Sequence, residues 1–241
     1  MIETNDYWII EDQFIFKPHF DSSIDVYKNI ISQYNKLVFS NYTDVDMCAK
    51  TNNTFDSIYF NKYLGSKFNQ KIDLPQNITH LIFGECFNQQ VELPLNITHI
   101  NFGNDFNQKV DLPYNLKHLT FGYNFNQKVD LPLDIEYLKI DCNNRNIIDY
   151  LPESIEELVL DGDFNLELND LPQSIKKIIF YSSNYKKELN CLPSNIEYIQ
   201  LPENYKKEII KYPNKLKTIK CYNKYKFINI LKEKGYEVLT F

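Results

Sequence analysis

The sequence predicts a mainly β solenoid with one long parallel sheet, and three features of the chain predict it. Leu-Pro pairs recur at steps of 19, 19, 19, 20, 20 and 21 residues between Leu74 and Leu192. A second mark, FNQK or FNQQ, begins at Phe68, Phe87, Phe106 and Phe125. A short apolar segment such as HLIFG follows each of the first three Leu-Pro pairs. Self-similarity at a short fixed period is typical of solenoids, whose units stack on their neighbours.

Each apolar segment is predicted to be one strand of the sheet. Leu81 and Phe83 are two residues apart, so both side chains point to the same face of an extended strand. The equivalent pairs are Leu37/Phe39, Ile58/Phe60, Ile100/Phe102, Leu119/Phe121, Leu138/Ile140, Leu158/Leu160, Ile178/Phe180, Ile199/Leu201, Ile219/Cys221 and Leu239/Phe241. Together they predict about eleven rungs of 19–21 residues, where a rung is one turn of the solenoid.

The Leu-Pro pairs indicate what connects one strand to the next. A period near 20 residues is too short for a strand and a full helix. Proline has no backbone N–H and a fixed φ, so this segment cannot be a central strand or a helix interior. An extended, polyproline-like return arm fits it better. The predicted fold is therefore a leucine-rich-repeat-like solenoid.

Short helical caps are predicted at both ends. Residues 7–16 predict a strand or small hairpin, and residues 21–34 have apolar side chains at helical spacing, with Asp21 as N-cap. The segment KYKFINILKEKG predicts an amphipathic helix that ends at Gly235, before a last strand over 236–241. The predicted domains are an N-terminal cap at 1–35, a repeat solenoid at 36–222 and a C-terminal helix–strand cap at 223–241.

The side chains that alternate with the inward pairs are predicted to form an exposed sheet face. Aromatic, aliphatic and polar residues are mixed along this face, which suits protein recognition, although a solvated face without a partner has the same composition. The candidate binding residues on this face are His80, His99, His118, Tyr137, Lys139, Glu157, Lys177, Tyr198 and Lys220.

His80, His99 and His118, here called the histidine row, occupy the same position in three successive units. Their rings are predicted to stack about 4.8 Å apart, which does not bring nitrogens together on one zinc ion, so no metal site is predicted. The row is then either a pH-sensitive binding stripe or a repeated surface residue. Rings that stack in solvent should make His99 titrate lowest, by a fraction of a unit, whereas burial should suppress titration outright. A partner bound to the stripe should lose affinity between about pH 7 and pH 5.5.

The asparagines and phenylalanines of the FNQ mark are predicted to be structural. An asparagine at a sharp turn can satisfy backbone groups that the turn leaves free. The phenylalanines should stack as an aromatic spine inside the solenoid. The residues concerned are Asn69, Asn88, Asn107, Asn126 and Asn165, with Phe68, Phe87, Phe106, Phe125 and Phe164.

No sequence motif indicates catalysis. The chain has no P-loop, GxGxxG, GxSxG, HExxH or paired CxxC, so neither an enzyme nor a cofactor is predicted. A formal net charge of −6 argues against nucleic acid as the main partner. No run of 18 apolar residues predicts a membrane span. Five cysteines without CxxC spacing favour a reducing, intracellular location, and the oligomeric state is left undetermined.

The FNQ and Leu-Pro marks, with ITHLIFG between them, resemble the FNIP-repeat family over roughly residues 55–220, most closely over 68–132. Members are leucine-rich-repeat-like proteins found largely in amoebae and in large viruses that infect them. The resemblance implies binding to a protein partner and does not identify it. The location predicted from the cysteines is the cytoplasm, which is the host cytoplasm for a viral chain. Members are often joined to an F-box, which implies a ubiquitin-ligase adaptor docking through residues 1–54, although these residues lack its Leu-Pro opening. A third hypothesis is a structural component of a larger assembly.

Overall fold

A computed structural model describes residues 1–42, 64–181 and 185–241, with the backbone of residues 45–46 and 59–60. The strands are β1 (Ile2–Glu3), β2 (Tyr7–Ile10), β3 (Gln13–Phe16), β4 (Lys36–Phe39), β5 (Val45–Asp46), β6 (Tyr59–Phe60), β7 (His80–Ile82), β8 (His99–Asn101), β9 (His118–Phe121), β10 (Tyr137–Ile140), β11 (Glu157–Leu160), β12 (Lys177–Phe180), β13 (Tyr198–Gln200), β14 (Thr218–Cys221) and β15 (Glu237–Thr240). The helices are a 3-10 turn (Ile24–Tyr27) and α1 (Lys28–Ile31), α2 (Arg145–Ile148) and α3 (Ile228–Glu233).

Thirteen of these strands form a single sheet, in the order β1-β2-β3-β4-β7-β8-β9-β10-β11-β12-β13-β14-β15. Neighbouring strands are parallel from β3 onward, whereas β1, β2 and β3 pair antiparallel. The predicted hairpin over residues 7–16 is therefore confirmed, and it extends the sheet beyond the first parallel strand. The predicted fold class, a mainly β solenoid with one long parallel sheet, is confirmed.

The inward pairs of side chains form the core of the solenoid. Leu81 on β7 and Phe83, the residue that follows this strand, are fully buried, as are Leu119 and Phe121 on β9. Burial of about six inward side chains stabilises a rung by roughly 1.5–3 kcal/mol per side chain. Their sum is no more than the free energy of conformational entropy lost by ordering the roughly 20 residues of the rung. A single rung is therefore unstable by itself, and each needs its neighbours.

The Leu-Pro pairs end each return arm in a tight turn. The carbonyl of Pro94 accepts a hydrogen bond from the backbone N–H of Ile97 at 3.1 Å, and Pro113 accepts one from Leu116 at 3.1 Å. Proline suits this position because the turn uses its carbonyl and needs no N–H there. The turn then leads directly into the next strand of the sheet.

The predicted rung at Ile58 and Phe60 is wrong. Strand β4 pairs directly with β7, with Leu37 opposite Leu81, so no strand separates them in the sheet. Phe60 belongs to β6, which pairs antiparallel with β5 in a separate two-stranded sheet, and Ile58 lies outside the described residues. Two apolar residues two positions apart fit any half-buried strand, and only long-range pairing selects the strand that enters the sheet.

The last strand has the predicted location, but the opposite set of its side chains faces the core. Val238 aligns with Ile219 and packs against the core, so Leu239 and Phe241 do not form an inward pair. A shift of one residue in register exchanges the two faces of a strand. The predicted register would turn Glu237 inward and bury its carboxylate, which is costly. In the observed register, Thr218 Oγ1 donates a hydrogen bond to Glu237 Oε2 at 2.6 Å.

Asp21 is not the helix N-cap. Ser23 caps the 3-10 turn, where its Oγ accepts a hydrogen bond from the Asp25 backbone N–H at 3.2 Å. Asp21 Oδ1 instead accepts hydrogen bonds from the Asn69 backbone N–H at 3.1 Å and Gln70 Nε2 at 2.9 Å. The predicted C-terminal helix is confirmed as α3, and Gly235 follows it with φ +87°.

Asn69, Asn88, Asn107 and Asn126 form a ladder of hydrogen bonds, here called the asparagine ladder, and Asp21 begins it. The side-chain oxygens of Asp21, Asn69, Asn88 and Asn107 each accept hydrogen bonds from the next rung. Asn88 Oδ1, for example, accepts from the Asn107 backbone N–H at 2.9 Å and from Gln108 Nε2 at 3.0 Å. Buried and half-buried turns must satisfy their backbone groups, and the ladder does so at every rung it spans. The predicted structural role of these asparagines is confirmed.

The aromatic spine is continuous over four rungs and then interrupted. The rings of Phe68, Phe87, Phe106 and Phe125 stack with centroids 6.0–6.1 Å apart. At the next rung, buried Asn144 takes the phenylalanine position and caps α2 through a hydrogen bond from the Asn146 backbone N–H. Helix α2 was not predicted, and its Ile147 and Ile148 fill the core there.

Candidate functional site

The structure brings all nine candidate residues to one face of the sheet, here called the open face. Seven of them form a single cross-strand column, because each is paired with the next in register: His80, His99, His118, Tyr137, Glu157, Lys177 and Tyr198. Lys139 and Lys220 belong to the adjacent column, two residues further along their strands. All nine are partly buried rather than fully exposed.

The imidazoles of the histidine row stack as predicted. The ring centroids of His80 and His99 are 4.1 Å apart, and those of His99 and His118 are also 4.1 Å apart, with interplanar angles of 11° and 15°. The ring of Tyr137 continues the stack at 5.4 Å from His118. Threonines position two of the rings, because Thr79 Oγ1 and Thr98 Oγ1 each lie 2.8 Å from the Nδ1 of the following histidine.

Burial dominates the titration of the histidine row. It lowers the pKa of His99 to about 3, with the charges of His80 and His118 as further causes. Burial, followed by the charge of Lys36, lowers the pKa of His80 to about 4. The pKa of His118 is lowered by burial as well, although Glu136 and Glu157 oppose the shift. The pKa of His99 lies below that of His80, and both shifts far exceed the fraction of a unit predicted for rings that stack in solvent, because burial is the largest cause of each.

This burial makes a prediction for acid stability. The folded pKa of His99 lies below its unfolded value of about 6.5, so its neutral form contributes stability at pH 7 that is lost progressively as the pH falls through 6.5 towards 3. Relative to wild type, His99→Gln should therefore lose about 1 kcal/mol less stability between pH 7 and pH 5. Urea melts of both chains at each pH measure this difference.

Comparing His99→Gln with wild type removes the contribution of Asp141, a group whose effect on stability has the opposite pH dependence. Asp141, whose pKa burial and the charge of Asp161 raise to about 6, stabilises the fold as the pH falls, and it is present in both chains. An NMR titration checks the cause directly: the His99 imidazole should remain neutral down to about pH 5. Protonation of His99 near pH 6.5 would contradict the burial of the row.

Ion pairs cross the second half of the open face. Lys139 Nζ lies 2.8 Å from Asp161 Oδ2, and Lys177 Nζ lies 3.0 Å from Glu157 Oε1. Val159 lies on β11 between Glu157 and Asp161, the acidic members of these two pairs. The sequence predicts it on an exposed face, but its side chain is only 1% exposed. Ile179 and Gln200 in the same column are buried too. The open face is therefore more closely covered by its own side chains than the sequence predicts.

Sequence reasoning missed a second apolar cluster on the open face. Trp8, Ile10, Ile15 and Val38 are buried together, and Ile82 packs against them. Trp8 Nε1 donates a hydrogen bond to Glu3 Oε1 at 3.0 Å. The sequence does indicate this cluster through the segment YWII, whose apolar residues point to both faces of the strand. This pattern is typical of a strand that is covered on both sides.

Among the residues that the structure describes, no three or more His, Cys, Asp or Glu side chains converge on a possible metal position. The stacked histidines keep their nitrogens in parallel planes instead of directing them at one point. In the same described ranges, no helix combines the length and apolar composition that crossing a membrane requires. The arrangement offers a binding surface of stacked rings, aliphatic side chains and paired charges.

Comparisons with known proteins identify the repeat. The family model of the FNIP repeat matches residues 68–105, 106–143, 143–183 and 165–204, which together cover more than half of the chain. No curated protein sequence matches the chain.

The fold also has a counterpart among solved structures. The chain is similar to the crystal structure described as CroV588, a novel circular LRR protein, with a TM-score of 0.60 and 24% sequence identity. The similarity covers 92% of this chain but 38% of that one, so the chain spans well under half of the length of its structural relative.

Proposed function

The chain belongs to the FNIP-repeat family, and from that premise we propose that it is a non-enzymatic module that binds a protein partner on the open face of its sheet. The observation that carries the proposal is the alignment of all nine candidate residues on that face. Parallel strands that pair in one continuous sheet make the face a continuous surface, which suits contact with another protein. A cytoplasmic location, in the host for a viral chain, is part of the proposal.

The chemistry of the open face defines the partner it would bind best. The histidine row is neutral, and Lys139 and Lys177 are paired with carboxylates, so the face carries little unbalanced charge. Tyr137 and Tyr198 add amphipathic rings, which are common at protein interfaces. We therefore expect the partner to present aromatic or aliphatic side chains with hydrogen-bonding groups rather than a strongly charged surface.

The test is an affinity measurement on a purified partner. Proximity labelling in the native cell identifies candidates, and calorimetry then compares wild type with His99→Ala and Tyr198→Ala. Truncation of a central interface side chain should weaken binding about tenfold or more. Lys109→Ala, on an exposed return arm away from the open face, is the control and should bind as wild type. Equal affinities for all four chains would place the binding surface elsewhere.

The pH dependence expected from the sequence is revised. A binding stripe of solvent-exposed histidines would lose affinity between about pH 7 and pH 5.5. With pKa values of about 4 for His80 and about 3 for His99, these two rings stay neutral throughout that interval. We therefore expect His80 and His99 to add no pH dependence to the affinity of an open-face partner between these two pH values.

The adaptor hypothesis is supported by no observation on the N-terminal residues. Residues 1–42 contribute four strands to the sheet and only two four-residue helical segments, whereas an F-box should be mostly helical. Residues 43–54, the remainder of the segment, lie largely outside the described part of the chain. A role in a larger assembly would be recognised by stoichiometric, salt-resistant co-purification.

A further inference from the structure

Charge is distributed unevenly along the solenoid. Residues 176–241 contain fourteen lysines and six glutamates, whereas residues 68–175 contain seventeen acidic and six basic residues. In a solenoid, the order of rungs in the sequence is also their order along the axis. The molecule therefore has an acidic middle and a basic end, although its formal net charge is only −6.

Lysines replace the asparagine ladder at the basic end. Lys186, Lys206 and Lys226, here called the lysine stripe, each follow a buried tyrosine of the spine, and all three are exposed. The Lys186 backbone N–H donates a hydrogen bond to Asn165 Oδ1 at 2.9 Å, which places Lys186 in the ladder position. The next lysines, Lys187 and Lys207, are each within 4 Å of a glutamate. Within the described ranges, no carboxylate forms an ion pair with a member of the lysine stripe.

The acidic middle carries a complementary feature on its return arms. An acidic residue immediately precedes the Leu-Pro pair in three successive rungs, and an apolar residue immediately follows it. This acidic–apolar stripe consists of Glu92, Asp111 and Asp130 with Leu95, Tyr114 and Leu133. The last three are 63%, 69% and 82% exposed, respectively. Single exposed apolar side chains are ordinary, but three at the same position of successive rungs form a continuous patch of the kind that marks an interaction site.

We propose that the lysine stripe of one copy of the chain binds the acidic–apolar stripe of a second copy. Both stripes repeat once per rung of the same solenoid, and the spine tyrosines that precede Lys206 and Lys226 have ring centroids 6.2 Å apart, so ammonium and carboxylate groups can pair rung by rung. Ile210, 76% exposed on the return arm that begins at Lys206, supplies an apolar contact for the exposed leucines. The two stripes lie on different rungs, so the contact joins unlike surfaces. It leaves the open face free for its own partner.

A second copy accounts for both stripes, whereas a polyanion would account for only one. Nucleic acid or another polyanion could neutralise the lysine stripe, but it would be repelled by Glu92, Asp111 and Asp130 and would leave the apolar patch uncovered. Lys109 and Lys128 lie two residues before Asp111 and Asp130, on the side away from the apolar residues. The carboxylates next to the apolar patch therefore favour a partner surface that is both basic and apolar.

The test is sedimentation velocity on the full chain from about 1 to 200 μM. Wild type should associate with rising concentration at about 50 mM salt and dissociate at about 500 mM, because exposed ion pairs are screened. Lys206→Glu with Lys226→Glu should weaken association about tenfold or more, as should Asp111→Lys with Asp130→Lys. Lys67→Glu with Lys232→Glu changes the net charge equally at exposed lysines outside the stripe and should associate as wild type.

Mixing the two stripe variants gives the decisive result. Neither variant should associate with itself, because its two stripes now carry charges of the same sign. In the mixture, the unchanged lysine stripe of one variant can bind the unchanged acidic–apolar stripe of the other. The two altered stripes can also bind each other, with their charges exchanged. Association of the mixture confirms the proposal and shows that both variants fold. A wild type that stays monomeric at 200 μM overturns it, as does a mixture that fails to associate although both variants melt as wild type. Binding of a heparin polyanion to the lysine stripe of a monomeric wild type would assign that surface to a polyanion instead.

Discussion

Replacing Phe106 by alanine should lower the free energy of unfolding by about 3–5 kcal/mol. The Phe106 ring is fully buried, with ring centroids 6.1 Å from Phe87, 6.0 Å from Phe125 and 4.1 Å from Phe102. A cavity at this point removes contacts on three sides of a packed spine. The neighbouring rungs cannot close over the gap, because the sheet and the asparagine ladder fix their spacing.

Phe164→Ala is the matched comparison, and it should cost less. Phe164 is equally buried, but it follows the interruption at Asn144, and its ring lies 6.2 Å from Tyr185 rather than within a run of phenylalanines. Urea melts of both variants measure the two costs. Losses below about 1 kcal/mol at both positions would contradict a spine that stabilises the solenoid.

Gly103→Ala should be about as damaging, at roughly 3 kcal/mol or more, or should prevent folding. A Cβ at Gly103 would lie 1.9 Å from the backbone oxygen of Gly84 and 2.6 Å from its carbonyl carbon. These are atoms of the preceding rung rather than a flexible side chain, so relief requires two rungs to separate. Gly122 has the same relation to Gly103, with 2.5 Å to its oxygen, which indicates that close backbone contact continues from rung to rung.

Gly235→Ala separates this steric effect from the ordinary cost of replacing glycine. Gly235 has φ +87°, but a Cβ there would meet no atom within 4 Å. The substitution should therefore cost only about 1–2 kcal/mol, the usual penalty for a side chain in the left-handed region. Thermal or urea melts of Gly103→Ala and Gly235→Ala should differ clearly. Similar small losses would show that the rungs separate easily at the glycine column.

Two features connect this stability to the proposed interactions. The spine and the ladder hold successive rungs at a constant spacing, so the histidine row and the two charged stripes keep their side chains in register. A preformed surface of this kind loses little conformational entropy when it binds a partner. We therefore expect Phe106→Ala to weaken open-face binding mainly by reducing the folded fraction rather than by altering contacts.

The repeat by itself determined most of the architecture. The spacing of the Leu-Pro pairs, the inward pairs two residues apart and the FNQ mark predicted the parallel sheet, the aromatic spine and the asparagine ladder. These features are local and are repeated in every unit, so one correctly interpreted unit describes its neighbours. The stacking of His80, His99 and His118 followed in the same way, because equivalent positions in successive rungs must lie one strand spacing apart.

The tertiary structure decided what local pattern leaves open. Sequence does not distinguish the apolar pair of β4 from the pair at Ile58 and Phe60, and only the structure shows that β4 pairs directly with β7. Sequence likewise allows either Val238 or Leu239 to face the core. The inward position of Val238 is favoured because the alternative register would bury the carboxylate of Glu237. Asp21 became the start of the asparagine ladder because a residue 48 positions away presents its N–H there. The burial of Val159 and the low pKa of His99 likewise depend on neighbouring rungs. Desolvation is the sum of what surrounds a group, and chain folding brings those surroundings together from distant parts of the sequence.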